Sequence, residues 1–353
     1  MNNDIDYEKA HIAVRGRGSG NITKSRFESL QVTLTKDDPR QIKTEVFKDT
    51  SKSILAFNNS PDVGFSGSIN PYRGCEHGCT YCYARPTHEY FGLSAGLDFE
   101  TKIFAKPEAP LLLRKAFLAK SYKPQVLALS GVTDCYQPIE KELKITRQCL
   151  MVLREFRNPV VVVTKNHLVT RDIDIFAELN RYSAIQVCIS ITTLDLDLAR
   201  IMEPRATTPE RRLDAVKKLS DAKIPVNINI APIIPGLTDH EIPKILKAAK
   251  EAGALRAHYT MLRLPYGVKD IFKEWVEKNY PDRSKKILNR IMETRGGRLN
   301  SSEFGERMVG SGGYAVQIAK MFSHYRKIYD LTHTAKLSTD HFVRVQNGQL
   351  SLF

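Results

Sequence analysis

Six short runs rich in β-branched and other apolar residues recur through the middle of the chain, with amphipathic stretches between them. They predict strands over 66–72, 125–130 (QVLALS), 159–164 (PVVVVT), 184–191 (AIQVCISI), 224–230 (IPVNINI) and 257–264 (AHYTMLRL). Helical patterns cover 107–120, 138–157, 172–181, 208–222 and 238–252. In 208–222, Leu213, Val216 and Leu219 share a face, and Thr208 before Pro209 suits an N-cap with proline at the first helical position. TDHE at 238–241 reads as a capping box, with Thr238 serving the Glu241 N–H and Glu241 reaching back. Strands alternating with helices imply a parallel sheet with right-handed crossovers, either doubly wound or curled into a partly closed barrel. In both, active residues gather at the carboxyl ends of the strands. That rule selects 73–83, 130–135, 164–167, 190–193 and 231–236.

The flanks differ from this middle. Residues 1–62 are polar and irregular, with RGRGSGN at 15–21 reading as a flexible arm; 63–264 form the core; 265–353 are basic and mainly helical, with a Gly-rich interruption at 295–314. At 353 residues and 42% apolar, the chain can bury a large core. Its apolar runs, such as VVVV at 160–163, are far shorter than the ~20 residues that span a bilayer. The start has no apolar signal region, so a cytoplasmic protein without membrane contact is expected. Net charge is +14, and from Leu255 onward 17 basic residues face 9 acidic ones. The surplus points to DNA or another anionic substrate, or to no more than a solvated basic surface.

Three of the six cysteines, Cys75, Cys79 and Cys82, lie within GCEHGCTYCYAR in the spacing C-x3-C-x2-C. Cys135, Cys149 and Cys188 are scattered singly, which is not a disulfide framework. A Cys3His zinc site with His77 is one reading, although His77 stands only two residues from both Cys75 and Cys79. The other is an iron–sulfur cluster. Four protein ligands would close such a cluster, and three leave one iron open.

The three-cysteine motif, with Tyr81 directly before the last cysteine and in the loop after the first strand, resembles the radical S-adenosylmethionine (SAM) superfamily. Within it the chain is similar to the spore-photolyase-like group, the DNA repair photolyases. The likeness rests on NPYRGCEHGCTYCYARPT, LSGVTDCYQPIE, VVVVTKNHLVTRD, VCISITTLD, MEPRATTPERRLDAV and NINIAPIIPGLTD, over about 66–264. The resemblance implies an α/β fold, a partial (βα)6 barrel with an irregular N-terminal arm and a mainly helical C-terminal extension. It implies a [4Fe-4S] cluster held by Cys75, Cys79 and Cys82, its open iron chelating SAM, and an external one-electron donor of flavodoxin or ferredoxin type. One electron breaks the C5′–S bond, giving methionine and a 5′-deoxyadenosyl radical that abstracts hydrogen from substrate.

Further site candidates follow from strand ends and the resemblance. Ser130, Gly131, Thr133 and Asp134 follow the second strand, where the superfamily contacts the methionine part of SAM; Asp134 also suits a turn. Lys165 could pair with the SAM carboxylate, Ser190 could serve the ribose, and Arg205 could pair with SAM or a carboxylate near Glu203. Ile233 is an adenine contact candidate. Tyr81 and Tyr83 would frame SAM or relay a radical, or simply pack. Spore photolyases return hydrogen to the product from a cysteine, and the matching position here is Gly131. Cys135, four residues later, is either its substitute or a buried inert thiol. His88, His167 and His258 read as structural and Trp275 as packing. Three functions stay open: photolyase-like DNA lesion repair, radical modification of a peptide, RNA or small metabolite, and a non-enzymatic metal-stapled nucleic-acid-binding protein.

Overall fold

A computed structural model describes residues 16–19 and 43–344. The predicted arm is thus described only in part, and 345–353 of the C-terminal segment lie outside the described residues. Ten strands form: β1 Glu45–Lys48, β2 Leu55–Phe57, β3 Gly67–Ile69, β4 Tyr72–Arg73, β5 Lys102–Ala105, β6 Leu127–Leu129, β7 Val160–Thr164, β8 Ile185–Ser190, β9 Val226–Ile233 and β10 Arg256–Met261. The helices are α1 Leu97–Thr101, α2 Ala109–Leu118, α3 Glu140–Leu143, α4 Ile145–Phe156, α5 Ile173–Asn180, α6 Leu196–Met202, α7 Pro209–Asp221, α8 Ile242–Glu251, α9 Val268–Asn279, α10 Ser284–Glu293 and α11 Gly312–Ile328. Two of the strands, β1 and β2, fall within the stretch read as irregular.

The main sheet runs β10-β9-β8-β7-β6-β3-β2, parallel from β3 to β10, with β2 antiparallel at the edge. This order resolves the choice of architecture. Each new parallel strand is added on the same side of the last, so the order never reverses as it must in a doubly wound sheet. Crossovers of one hand then put the helices on one face and leave the other as the inner wall of a partial barrel. In β7, Val160 and Val162 are buried while Val161 and Val163 are half-buried, the period-2 signature of a strand with two different faces.

The large core lies between the sheet and the helices. It joins Leu127, Leu129, Val162, Val187 and Ile228 to Leu150, Phe176, Val216 and Leu246. A second apolar cluster joins Phe272, Trp275 and Ile287 of the C-terminal helices to Cys79 and Tyr81. Trp275 packs there, stacked on Phe272 with Nε1 donating to Ile201 O (2.9 Å). Beyond α11 the chain crosses the amino ends of the strands. Ala257 N–H donates to Leu331 O (3.1 Å), Ser338 N–H to Ser183 O (3.0 Å) and Val343 N–H to Phe156 O (3.0 Å). The carboxyl ends are where the cysteine loop lies.

One local expectation fails. Thr238 and Glu241 do not make a capping box: Thr238 Oγ1 accepts from Ile234 N–H (2.9 Å), and the Glu241 carboxylate accepts from Thr193 Oγ1 (2.6 Å) and Leu194 N–H (2.7 Å). A strand-end loop offered Glu241 donors that outcompete its own helix terminus. Thr208 is the N-cap residue with Pro209 in the first turn, but its side chain makes no capping bond.

Candidate active site at the carboxyl ends of the strands

The cysteine loop follows β4 and is shaped by two glycines. Gly74 has φ +78°, and a Cβ there would meet His88 Cε1 at 2.8 Å and Phe99 O at 3.0 Å. Gly78 has φ +65°, and its Cβ would strike the Glu100 carboxylate at 2.6 Å. Arg85, fully buried, donates to Cys79 O, Gly78 O, Ala95 O, Gly96 O and, at 2.6 Å, to Glu100. The same Glu100 carboxylate accepts Gly18 N–H and Ser19 N–H, both at 2.8 Å. The described part of RGRGSGN, 16–19, is therefore docked against the cysteine loop rather than standing free as an arm.

The turn after β6 clamps the loop from another side. Ser130, at φ +89°, reverses the chain so that Gly131 N–H and Val132 N–H both donate to Asn70 Oδ1 (2.8 and 3.0 Å). Thr133 Oγ1 donates to Gly74 O (2.5 Å), Gln137 Nε2 donates to the same carbonyl, and Glu76 N–H donates to Gln137 Oε1 (2.9 Å). The Ser130 hydroxyl is spent on Thr133 O. Asp134 accepts from Thr164 Oγ1 (2.7 Å), Lys165 N–H (2.8 Å) and Tyr136 N–H (2.8 Å), with His77 Nδ1 at 3.4 Å. Burial alone would raise its pKa. The His77 charge, with the His77, Thr164 and Lys165 hydrogen bonds, holds it at about 2. Of the four candidates in this turn, Ser130, Thr133 and Asp134 thus use their polar atoms inside the protein.

Lys165 is brought to the cysteines: its ammonium lies 5.8 Å from the centre of the Tyr81 ring and lowers the pKa of Cys79 and Cys82. Tyr81 is buried, its hydroxyl bonded to Glu203 and 3.2 Å from Thr192 Oγ1. Glu203 pairs not with Arg205 but with buried Arg212. Burial opposes its ionisation, and the Arg212 charge, Lys165 and the Tyr81 hydroxyl overcome this, keeping it at about 2. Arg205 instead lies 3.1 Å from Glu76, and its backbone N–H donates to His77 O (3.2 Å). Ser190 ends β8 beside Asn229, and its hydroxyl makes no hydrogen bond among the described residues. Ile233 is buried in the core, with its carbonyl accepting from Leu262 N–H (2.9 Å).

Tyr83, half exposed, donates its hydroxyl to Gly131 O (2.6 Å). Cys135 lies fully buried in the main core, its sulfur 4.0 Å from Leu129 O, and burial pushes its thiol pKa far up. His88 is buried against Phe99 and bonded to Lys102 O (2.9 Å), and His167 faces Asp214 (2.6 Å), both structural; His258 is exposed on β10.

The residues fit an iron–sulfur cluster better than zinc. His77, the needed fourth zinc ligand, is held between Asp134 and Asn166, whose Nδ2 is 3.1 Å from His77 Nε2. All three thiols are disfavoured as thiolates: Cys75 by burial, Asp134 and the other two cysteines, Cys79 up to about 12 by burial and Glu203, and Cys82 by burial. They need positive charge to become ligands, which zinc or the irons of a cluster supply alike, so the preference for a cluster rests on His77 being taken up by its own partners.

Sequence reasoning missed Asn70, Glu76, Arg85, Glu100, Gln137 and Arg212. The loose signals were Asn70 and Arg85 bracketing the motif and the Glu203–Arg212 spacing inside MEPRATTPERR.

Comparison with known proteins agrees with this geometry. The Radical SAM superfamily profile matches residues 69–249. An uncharacterized protein of Methanocaldococcus jannaschii is 31% identical over 70% of this chain and 88% of its own length. An uncharacterized protein of Mycobacterium tuberculosis is 30% identical over 64% of this chain; the chain spans 66% of that relative's length, just under two thirds. Among solved structures, spore photoproduct lyase complexed with dinucleoside spore photoproduct has TM-score 0.58 at 14% identity, covering 80% of this chain and 79% of its own. A spore photoproduct lyase variant with bound AdoMet and the same dinucleoside has TM-score 0.53 at 14% identity, covering 80% and 78%. At these identities the likeness is one of fold. The chain belongs to the radical SAM superfamily, whose members use a [4Fe-4S] cluster and SAM.

Proposed function

We propose that Cys75, Cys79 and Cys82 hold the cluster, that Lys165 and Ser190 meet SAM, and that the enzyme acts on a DNA lesion in a photolyase-like reaction. When bound, the cluster and SAM supply a 5′-deoxyadenosyl radical that removes hydrogen from substrate. The chain's own part is placement. Arg85–Glu100 fixes the cysteine loop, Glu203 orients Tyr81, and the buried surroundings exclude water. The observation that carries the reading is the cysteine loop at the carboxyl ends of a parallel half-barrel that matches spore photoproduct lyase over four fifths of both chains. The basic C-terminal part adds support. An external one-electron donor of flavodoxin or ferredoxin type completes the cycle. A reducing, cytoplasmic setting accompanies the reading, since Cys75, Cys79 and Cys82 must stay unoxidised to act as ligands.

Gly131 favours a second reading, radical modification of a peptide, RNA or small metabolite. No thiol stands at that position, and Cys135 is sealed in the core. The space is available: a Cβ on Gly131 would meet only ordinary contacts, the first being Ser68 Oγ at 3.5 Å. The test is anaerobic incubation of reconstituted enzyme, SAM and dithionite with UV-irradiated thymine oligonucleotides, comparing wild type with Gly131→Cys. Lesion loss in step with 5′-deoxyadenosine, and a higher repaired yield in Gly131→Cys, is expected for repair. Deoxyadenosine formation with no lesion loss in either protein would reject repair and leave the second reading.

A further inference from the structure

Next to Tyr83, the carboxyl-end rim carries arginines in excess of the acids beside them. Arg263 follows β10, and its guanidinium lies 5.3 Å from the centre of the Tyr83 ring. Its guanidinium contacts Met308 Sδ, a weak acceptor, at 3.5 Å, and no carboxylate among the described residues lies within 4 Å of it. Asp62, the nearby acid, is already held by Arg307 (2.5 Å) and Gly305 N–H (2.7 Å). Arg295, 2% exposed, donates to Leu262 O and Glu306 O, and its Nε has no partner among the described residues. Glu306 offsets part of the Arg295 charge. Burial, followed by the like charge of Arg307, pulls the Arg263 pKa down.

The loop bearing these arginines is fixed. Met261 N–H donates to Met308 O (2.8 Å) and Leu264 N–H to Asn300 Oδ1 (3.0 Å). Two exposed rings carry arginines here: Arg307 lies 4.4 Å from the centre of the Phe304 ring on this loop, and Tyr83 of the cysteine loop faces Arg263, with Phe304 59% and Tyr83 49% exposed. Tyr83 adjoins the candidate cluster ligand Cys82 and bonds Gly131 O. A half-buried guanidinium stacked on a ring, with its fork unused by any carboxylate, matches a phosphate. Neighbouring exposed rings match bases, and this combination is how single strands are held.

We propose that Arg263 is the phosphate-binding residue of the substrate site, and that Tyr83 and Phe304 are the faces on which flanking bases of a single strand rest. The inference rests on the nucleic-acid reading above and names where the strand is gripped.

The test is fluorescence anisotropy of a 5′-labelled single-stranded DNA oligonucleotide titrated with reconstituted enzyme and SAM across a salt series. Arg263→Gln should weaken binding by about tenfold or more and flatten the log–log salt slope by about one. Arg263→Lys should keep the slope and lose part of the affinity. Phe304→Ala, on an exposed loop position, should weaken binding with the slope unchanged. Lys247→Gln, on the outer helix α8, is the charge-matched control and should change little. Wild-type affinity and slope in Arg263→Gln would overturn the proposal, as would capture of an acidic peptide in place of the oligonucleotide. Should lesion repair fail while Arg263→Gln still loses oligonucleotide binding, the repair reading falls and the phosphate site stands.

Discussion

The two rims of the strand-end opening are built on opposite electrostatic plans. Around the cysteine loop buried Arg85 pairs with Glu100, buried Arg212 with Glu203 and half-buried Arg205 with Glu76, leaving Lys165, over the Tyr81 ring, as the cation with no carboxylate within 4 Å among the described residues. Around the 295–311 loop, Asp62 is spent on Arg307, and Arg263 has no carboxylate within reach among the described residues. Paired charges hold backbone in one place, which a cofactor loop requires. A guanidinium held locally only by a ring and a thioether keeps its charge available to an anionic ligand. On the proposed reading, the difference divides the opening into a cofactor side and a substrate side.

That division can be broken by mutation, and the largest effect should come from the paired rim. Glu100→Leu leaves Arg85 buried without its counter-charge and frees the Gly18 and Ser19 amides. We expect a loss of about 3–5 kcal/mol in denaturant unfolding. A loss below about 1 kcal/mol would mean that the pair does not organise the loop.

Gly18→Ala comes next. A Cβ there would stand 1.6 Å from Gly78 O, a backbone atom, so the docked segment must move. Overpacking of this kind costs about 1–3 kcal/mol. Hydrogen exchange at the Ser19 amide should rise sharply, and unchanged protection would show that 16–19 does not depend on this close approach.

The unbalanced rim should respond in the other direction. Arg263→Leu removes a half-buried cation with no acidic partner within 4 Å among the described residues, so stability should stay level or rise by up to about 1 kcal/mol. A clear destabilisation would place Arg263 among the structural arginines and erase the contrast.

Ser130→Gly should have the smallest effect. It relieves a positive φ of 89°, worth about 1–3 kcal/mol, against the lost Thr133 bond and the added chain entropy of glycine. A net change within about 1 kcal/mol is expected by thermal unfolding.

Legibility in the sequence also followed this division. The strands could be read because apolar periodicity is local: PVVVVT became β7, and AIQVCISI contains β8. The cysteines could be read because their spacing is short. The clamps could not. Glu100 meets residues 18 and 19, and Glu76 meets Arg205; such pairs depend on the crossovers that bring distant loops to one end of the barrel. Asp134 shows the same limit. Its position at a strand end was legible, but not that it would join two neighbouring strand ends through Thr164 and Lys165 N–H. Glu241 failed as a cap for the same reason, since Thr193 and Leu194 were nearer in space than in sequence.

The central claim is that Cys75, Cys79 and Cys82 hold a cluster that cleaves SAM. Its most direct test is anaerobic reconstitution with iron and sulfide, followed by SAM and dithionite, with 5′-deoxyadenosine and bound iron measured together. The Cys75→Ala/Cys79→Ala/Cys82→Ala protein is run beside the wild type. Iron retention and deoxyadenosine in the wild type, both lost in the triple variant, are the predicted result. Equal iron in the two proteins, or one tightly held zinc per chain and no deoxyadenosine, would contradict it.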